Sequence, residues 1–253
     1  MTGRFDRLDS LRGIALVWMA VFHFCFDLSH NGLLVADFYN DVLWTTQRTC
    51  ILSLFLLCAG AGQAVATAQG QSWPRFWRRW AQIMACAALV TVGSFWMFPT
   101  SFIYFGVLHG MAVMLVLARL SAPLGRWLWP LGALAIAAPF WVQHPFFDHR
   151  GTNWVGLVTH KPITEDYVPI LPWLGVMWWG LAGTQWLLSH HPAWLQSKPR
   201  SSDNEGWMPA SRVRTRRALA GLGRWSLSFY MLHQPILIGP LSAWMWLTGR
   251  PVP

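Results

Sequence analysis

His23 and Asp27 lie four residues apart in the apolar run that follows the N-terminus, so a helix puts both on one face. A carboxylate beside an imidazole fixes its tautomer and raises its basicity, the arrangement a general base needs. The competing reading is structural, with Asp27 capping the outer end of the helix and His23 as its partner. His30 comes seven residues after His23 and stays near the same face if the helix continues. Further ionisable or amide groups recur in later apolar segments. Arg48 opens the second, His109 lies midway along the fourth, Asp166 stands at the mouth of the sixth, and His233 with Gln234 lies in the seventh. Such groups are expensive in a bilayer and are functional candidates by default. A single mid-membrane histidine is also a common interhelical hydrogen-bond partner, which is the plainer reading of His109 and His233.

These side chains need helices that cross a membrane, and the composition points there. The chain has 253 residues, 54% hydrophobic and only 11% charged, with 19 Trp, 15 Phe and 4 Tyr. Its net charge of +9 would suit a nucleic-acid binder, but runs of membrane-spanning length argue against that partner. The expected fold is an all-α, polytopic transmembrane bundle of about seven spans in one domain, residues 1–253. The spans are read at 11–29, 47–69, 79–98, 101–120, 124–142, 169–189 and 222–247, with kinks at Pro172 and Pro235. The first run is long and lacks a small-residue cleavage site, so it reads as a span rather than a signal peptide. With the N-terminus in the cytoplasm, only Arg48, Arg150, Lys161 and Arg250 of the 19 basic residues face outward, and the other 15 face inward. That asymmetry supports an N-in, C-out topology.

Two loops interrupt the bundle. Residues 190–221 read as a basic cytoplasmic loop, mobile in part, suited to solvent, anionic headgroups or an anionic cofactor. Residues 143–168 form the longest outer loop. In this topology Asp27, His30, Arg48 and Asp166 lie at the outer rim and His109 and His233 near the midplane, so one outward funnel could gather them. Paired tryptophans such as Trp178–Trp179 and Trp127–Trp129 read as interface markers. The cysteines Cys25, Cys50, Cys58 and Cys86 follow neither a zinc pattern nor a disulfide framework, and no histidine spacing suits a metal.

Several blocks, in order, resemble one family. They are Arg7-Leu-Asp-Ser-Leu-Arg-Gly-Ile-Ala-Leu16, Phe22-His-Phe-Cys-Phe-Asp-Leu28, Asn31-Gly-Leu-Leu-Val-Ala-Asp37, Leu54-Phe-Leu-Leu-Cys-Ala-Gly60 and Tyr104-Phe-Gly-Val-Leu-His109. Asp166-Tyr-Val-Pro-Ile-Leu-Pro-Trp173 and Leu222-Gly-Arg-Trp-Ser-Leu-Ser-Phe-Tyr-Met-Leu-His-Gln-Pro235 follow. Together they resemble the catalytic domain of heparan-α-glucosaminide N-acetyltransferase and its short bacterial relatives. The resemblance implies transfer of an acyl group, most simply acetyl, from acyl-CoA to an amine or hydroxyl of an extracytoplasmic acceptor, a glycan or small molecule. With no metal expected from the spacing, the chain is expected in a bacterial inner membrane, where a homodimer is allowed. The family's catalytic histidine lies just before the Asn-Gly stretch, which points to His30, while His23 belongs to the pattern of the bacterial relatives. Catalytic candidates are therefore His30, His23, Asp27 and Arg48. Acceptor contacts fall to Asp37, His109, Asp166, Tyr167, His233 and Gln234, and CoA phosphates to Arg7, Arg12 and Arg224. The reading from a different class is a proton-coupled transporter with a His/Asp relay, for which two matched repeats would speak; none is found.

Overall fold

The structure, a computed structural model, describes residues 5–191 and 210–249. They are helical: α1 (Asp6–His30), α2 (Val42–Ala68), α3 (Trp73–Met97), α4 (Val107–Ser121), α5 (Leu128–Trp141), α6 (Ile170–His190), α7 (Ala210–Arg224) and α8 (Ser226–Leu247). Short 3-10 turns lie at Ala122–Trp127, Pro145–Asp148 and Asn153–Val155. The contacts divide the described residues into two compact units, one of residues 5–55 with 210–249, the other of residues 56–191.

α1, α2, α3 and the segment Val107–Trp141 are long and apolar enough to cross a bilayer, so the chain is an all-helical integral membrane protein. α6 and α8 hold 21 and 22 residues. They have the length of a span, about 31–33 Å at 1.5 Å per residue. Two expected spans change shape. The fourth was read from residue 101, but its helix starts at Val107 because 101–106 runs extended and Phe105 bridges to Tyr167. It joins α5 through the 3-10 turn, where Gly125 leaves helical geometry at φ 55°. In the sixth, Leu171 departs from the helix (φ −97°, ψ 131°) just before Pro172, as the residue preceding a proline tends to. Residues 210–221 of the expected basic loop are helical, being most of α7; residues 192–209 lie outside the described residues.

In the first unit α7 lies tightly along α1. Gly13 of α1 touches the Leu219 backbone and Gly223 of α7 touches the Asp9 backbone, so neither position has room for a Cβ. Small residues let two helix backbones approach closely. Leu16, Met19, Phe22, Phe38 and Ile51 form the core there, with Trp44, Phe229 and Tyr230 packed on it. α1 ends at the Asn-Gly of the sequence block. Gly32 takes φ 69°, and the Leu33 amide donates to the Leu28 carbonyl (2.8 Å), the closing pattern that favours glycine.

The second unit repeats the device. Gly132 of α5 meets Gly175 of α6 backbone to backbone. Tryptophans then fasten helices rather than only marking interfaces. Trp178 Nε1 donates to Ser121 Oγ (2.8 Å), Trp179 Nε1 to the Trp129 carbonyl (3.1 Å), and Trp80 Nε1 to the Ala112 carbonyl (3.0 Å). An indole N–H held away from water needs such an acceptor. Trp127 and Trp129 themselves are exposed.

Candidate active site

α1 and α8 bring together residues 210 positions apart. His23 Nδ1 lies 2.7 Å from His233 Nε2, and the rings stack with centroids 5.0 Å apart. One turn further along α1, Asp27 Oδ1 accepts from Gln234 Nε2 at 2.8 Å. The expected His23–Asp27 pair is therefore replaced. Both side chains share a face, as the spacing requires, but each takes its partner from α8, where His233 and Gln234 are neighbours. His233, 7% exposed, also places Nδ1 2.7 Å from the Tyr230 carbonyl.

That carbonyl decides the tautomers of the neutral pair. A carbonyl oxygen only accepts, so His233 Nδ1 carries hydrogen and His233 Nε2 is an acceptor. His23 Nδ1 must then be the donor, which leaves His23 Nε2 without hydrogen. A backbone carbonyl, relayed through one imidazole, does for His23 what a carboxylate does in a catalytic triad: it orients the ring and presents one bare nitrogen. Tyr230 was missed from sequence, since a carbonyl carries no residue signature.

His30, at the end of α1, is exposed and stacks on Phe26 (6.3 Å, 15°). With Ser29, Ala36, Asp37 and Tyr39 it borders an open hollow of about 320 Å³. Asp37 accepts from the Asn40 side chain (2.8 Å) and from the amides of Asn40 and Tyr39 (2.9 Å each). These donors, the Asn40 side chain first, hold its carboxyl below the usual carboxylate range. Asn40→Ala is expected to raise the Asp37 titration toward the ordinary value, read by carboxyl-carbon NMR. Arg48 is exposed on α2 and makes no ion pair among the described residues. At the other end of α1, Arg12 pairs with Asp9 (3.3 Å) and Arg224 with Asp6 (3.8 Å), while Arg7 is exposed.

The remaining candidates belong to the other unit and are occupied locally. His109 Nδ1 accepts from the Gly106 amide (3.3 Å), so its Nε2 donates to Thr91 Oγ1 (3.1 Å), which in turn donates to the Ile103 carbonyl (2.8 Å). Asp166 Oδ2 accepts from the Val107 amide (2.7 Å) at the start of α4, where an anion meets the positive end of the helix dipole. Tyr167 Oη donates to the Asn153 carbonyl (2.6 Å), and the Asn153 side chain, 1% exposed, donates to Tyr104 Oη (2.6 Å). Burial raises the Tyr167 phenol above its ordinary value. Thr91 and Asn153 went unnoticed in the sequence because a single threonine in an apolar run, or one asparagine in a loop, carries no pattern.

A family model described as Heparan-alpha-glucosaminide N-acetyltransferase, catalytic, matches residues 4–235. No curated protein and no solved structure matches the chain.

Proposed function

The chain belongs to the heparan-α-glucosaminide N-acetyltransferase catalytic-domain family, a family of membrane acetyltransferases with acetyl-CoA as co-substrate, and from that premise we propose its reaction. It moves an acetyl group from acetyl-CoA, arriving from the cytoplasm, to an amine or hydroxyl of a sugar-bearing acceptor beyond a bacterial inner membrane. The observation that carries this reading is the bare Nε2 of His23, set by the Tyr230–His233–His23 chain.

The thioester supplies an activated acyl carbon. As the acceptor nitrogen or oxygen attacks it, His23 Nε2 takes the proton and the new C–N or C–O bond forms. The His23 Nδ1–H contact with His233 spreads the positive charge over two rings. When the tetrahedral intermediate collapses, the C–S bond breaks and the proton returns from His23 to sulfur, so thiol and acetylated acceptor leave with no net proton change. Arg48, with no ion pair among the described residues, is the cation we assign to the oxyanion. His30 and Asp37 line the hollow that receives the acceptor. Arg7, Arg12 and Arg224 hold the CoA phosphates, Arg12 exchanging its contact with Asp9 and Arg224 its contact with Asp6 for the stronger phosphate pairs. His109, Asp166 and Tyr167 serve by fixing the start of α4 and the outer loop.

Purified protein in lipid nanodiscs, given acetyl-CoA and an amino sugar, is expected to release free thiol in proportion to acceptor. Acceptor-independent behaviour, with proton-driven solute flux in liposomes and no thiol release, would replace the transferase with a transporter.

A further inference from the structure

The Asp27–Gln234 contact between α1 and α8 leaves two oxygens unsatisfied. Asp27 is 5% exposed, and its Oδ1 is met by Gln234 Nε2. Its other oxygen, Oδ2, and Gln234 Oε1 are both buried and have no hydrogen-bond partner among the described residues. Buried acceptors without donors are rare and costly, and an ionised carboxylate with one donor is costlier still. Turning the amide over does not help. It swaps one acceptor for the donor and leaves the same shortage, three acceptor oxygens against a single NH2 group.

One hydrogen cures both defects. On Asp27 Oδ2 it can donate to Gln234 Oε1, closing a ring of two hydrogen bonds in which acid and amide each give and take one. We propose that Asp27 is a neutral carboxylic acid clamped to the Gln234 amide, and that this clamp sets the register of His233 on His23. The placement favours it: His23 and Asp27 are one turn apart on α1, and their partners are adjacent on α8, so fixing one pair fixes the other. The titratable or charged groups within two turns of this contact are His23, Cys25 and His30 on α1 and Tyr230 and His233 on α8, with Arg48 and Cys50 on α2 and Asp37 and Tyr39 on the loop after α1; Asp6, Arg7, Asp9 and Arg12 lie at the other end of α1. A neutral Asp27 does not compete with His23 for the proton of the nucleophile. Asp27 is then a positioning residue, in contrast to the charged catalytic carboxylate expected from its spacing.

Asparagine distinguishes the two roles. In Asp27→Asn the new amide closes the same ring with Gln234 and needs no added proton, whereas Asp27→Ala and Gln234→Leu open it. Infrared difference spectra of wild type against Asp27→Asn, without substrate at neutral pH, are expected to show a protonated-carboxyl C=O stretch that shifts in D2O. Asp27→Ala is expected to cost about 10²-fold in kcat/KM by misplacing the imidazole pair, and Asp27→Asn to recover to within about three-fold of wild type. Carboxylate bands in place of the acid band would overturn the clamp, as would an Asp27→Asn variant that folds normally and is as impaired as Asp27→Ala. The infrared reading does not depend on turnover, so it stands apart from the fate of the acetyl-transfer assignment.

Discussion

His23→Ala is expected to lower kcat/KM for acetyl transfer by about 10²–10⁴-fold, the usual contribution of a positioned general base. The loss should fall mainly on kcat, because the imidazole acts as the proton leaves the nucleophile and adds little to ground-state binding. His30→Ala should behave differently. His30 is exposed beside the hollow and neither of its ring nitrogens has a hydrogen-bond partner among the described residues to fix its tautomer, so its removal is expected to raise KM several-fold with kcat largely kept. Steady-state thiol release over a range of acceptor concentrations separates the two. A His30→Ala variant with the large kcat defect and an active His23→Ala would transfer the base to His30. His233→Ala should be intermediate: Nε2 of His23 stays in place, but its tautomer is no longer imposed. Restored activity in His233→Gln, whose amide oxygen can accept from His23 Nδ1–H, would mark His233 as the orienting group.

Gly175→Val is expected to destabilise the unit built on α5 and α6 by about 3 kcal/mol, the upper range for overpacking. Even the first added carbon meets the Gly132 carbonyl and the Ile136 backbone. Backbone inside a helix cannot swing aside as a side-chain tip can, so the helices must separate along their contact. The matching result is a lower thermal midpoint and a smaller monodisperse fraction in detergent. Gly93→Ala in α3 is the control, since nothing lies within 4 Å of its added carbon. It should change stability by no more than about 1 kcal/mol, in the stabilising direction expected of alanine in a helix. Equal damage from both would mean that the α5–α6 contact yields more readily than its backbone geometry allows.

Much of the architecture can be read along the chain, because the signals are local. Apolar length identifies the long helices α1, α2 and α3, since a bilayer leaves the backbone no other partner than itself. Asn31-Gly32 marks the end of α1 through the left-handed backbone that glycine accepts. The i, i+4 spacing of His23 and Asp27 puts them on one face whatever surrounds them. The start of α4 was misplaced for the converse reason. Residues 101–106 are apolar enough to continue a helix, but Phe105 pairs with Tyr167, over sixty residues away. Hydropathy carries no record of that pairing.

The chemistry divides along the same line. Sequence alone determined that imidazole, carboxylate and guanidinium groups enter apolar helices, and that such groups are worth their cost only in use or in partnership. Which of these applies was decided by the tertiary structure. His109 and His233 are alike on paper, each a lone histidine in an apolar segment. Folding spends both nitrogens of His109 on a neighbouring turn and on Thr91, whereas it turns His233 into the link between a backbone carbonyl and His23. The difference rests on donors and acceptors from other helices and from the main chain, and a hydrogen bond has a direction that residue identity does not encode.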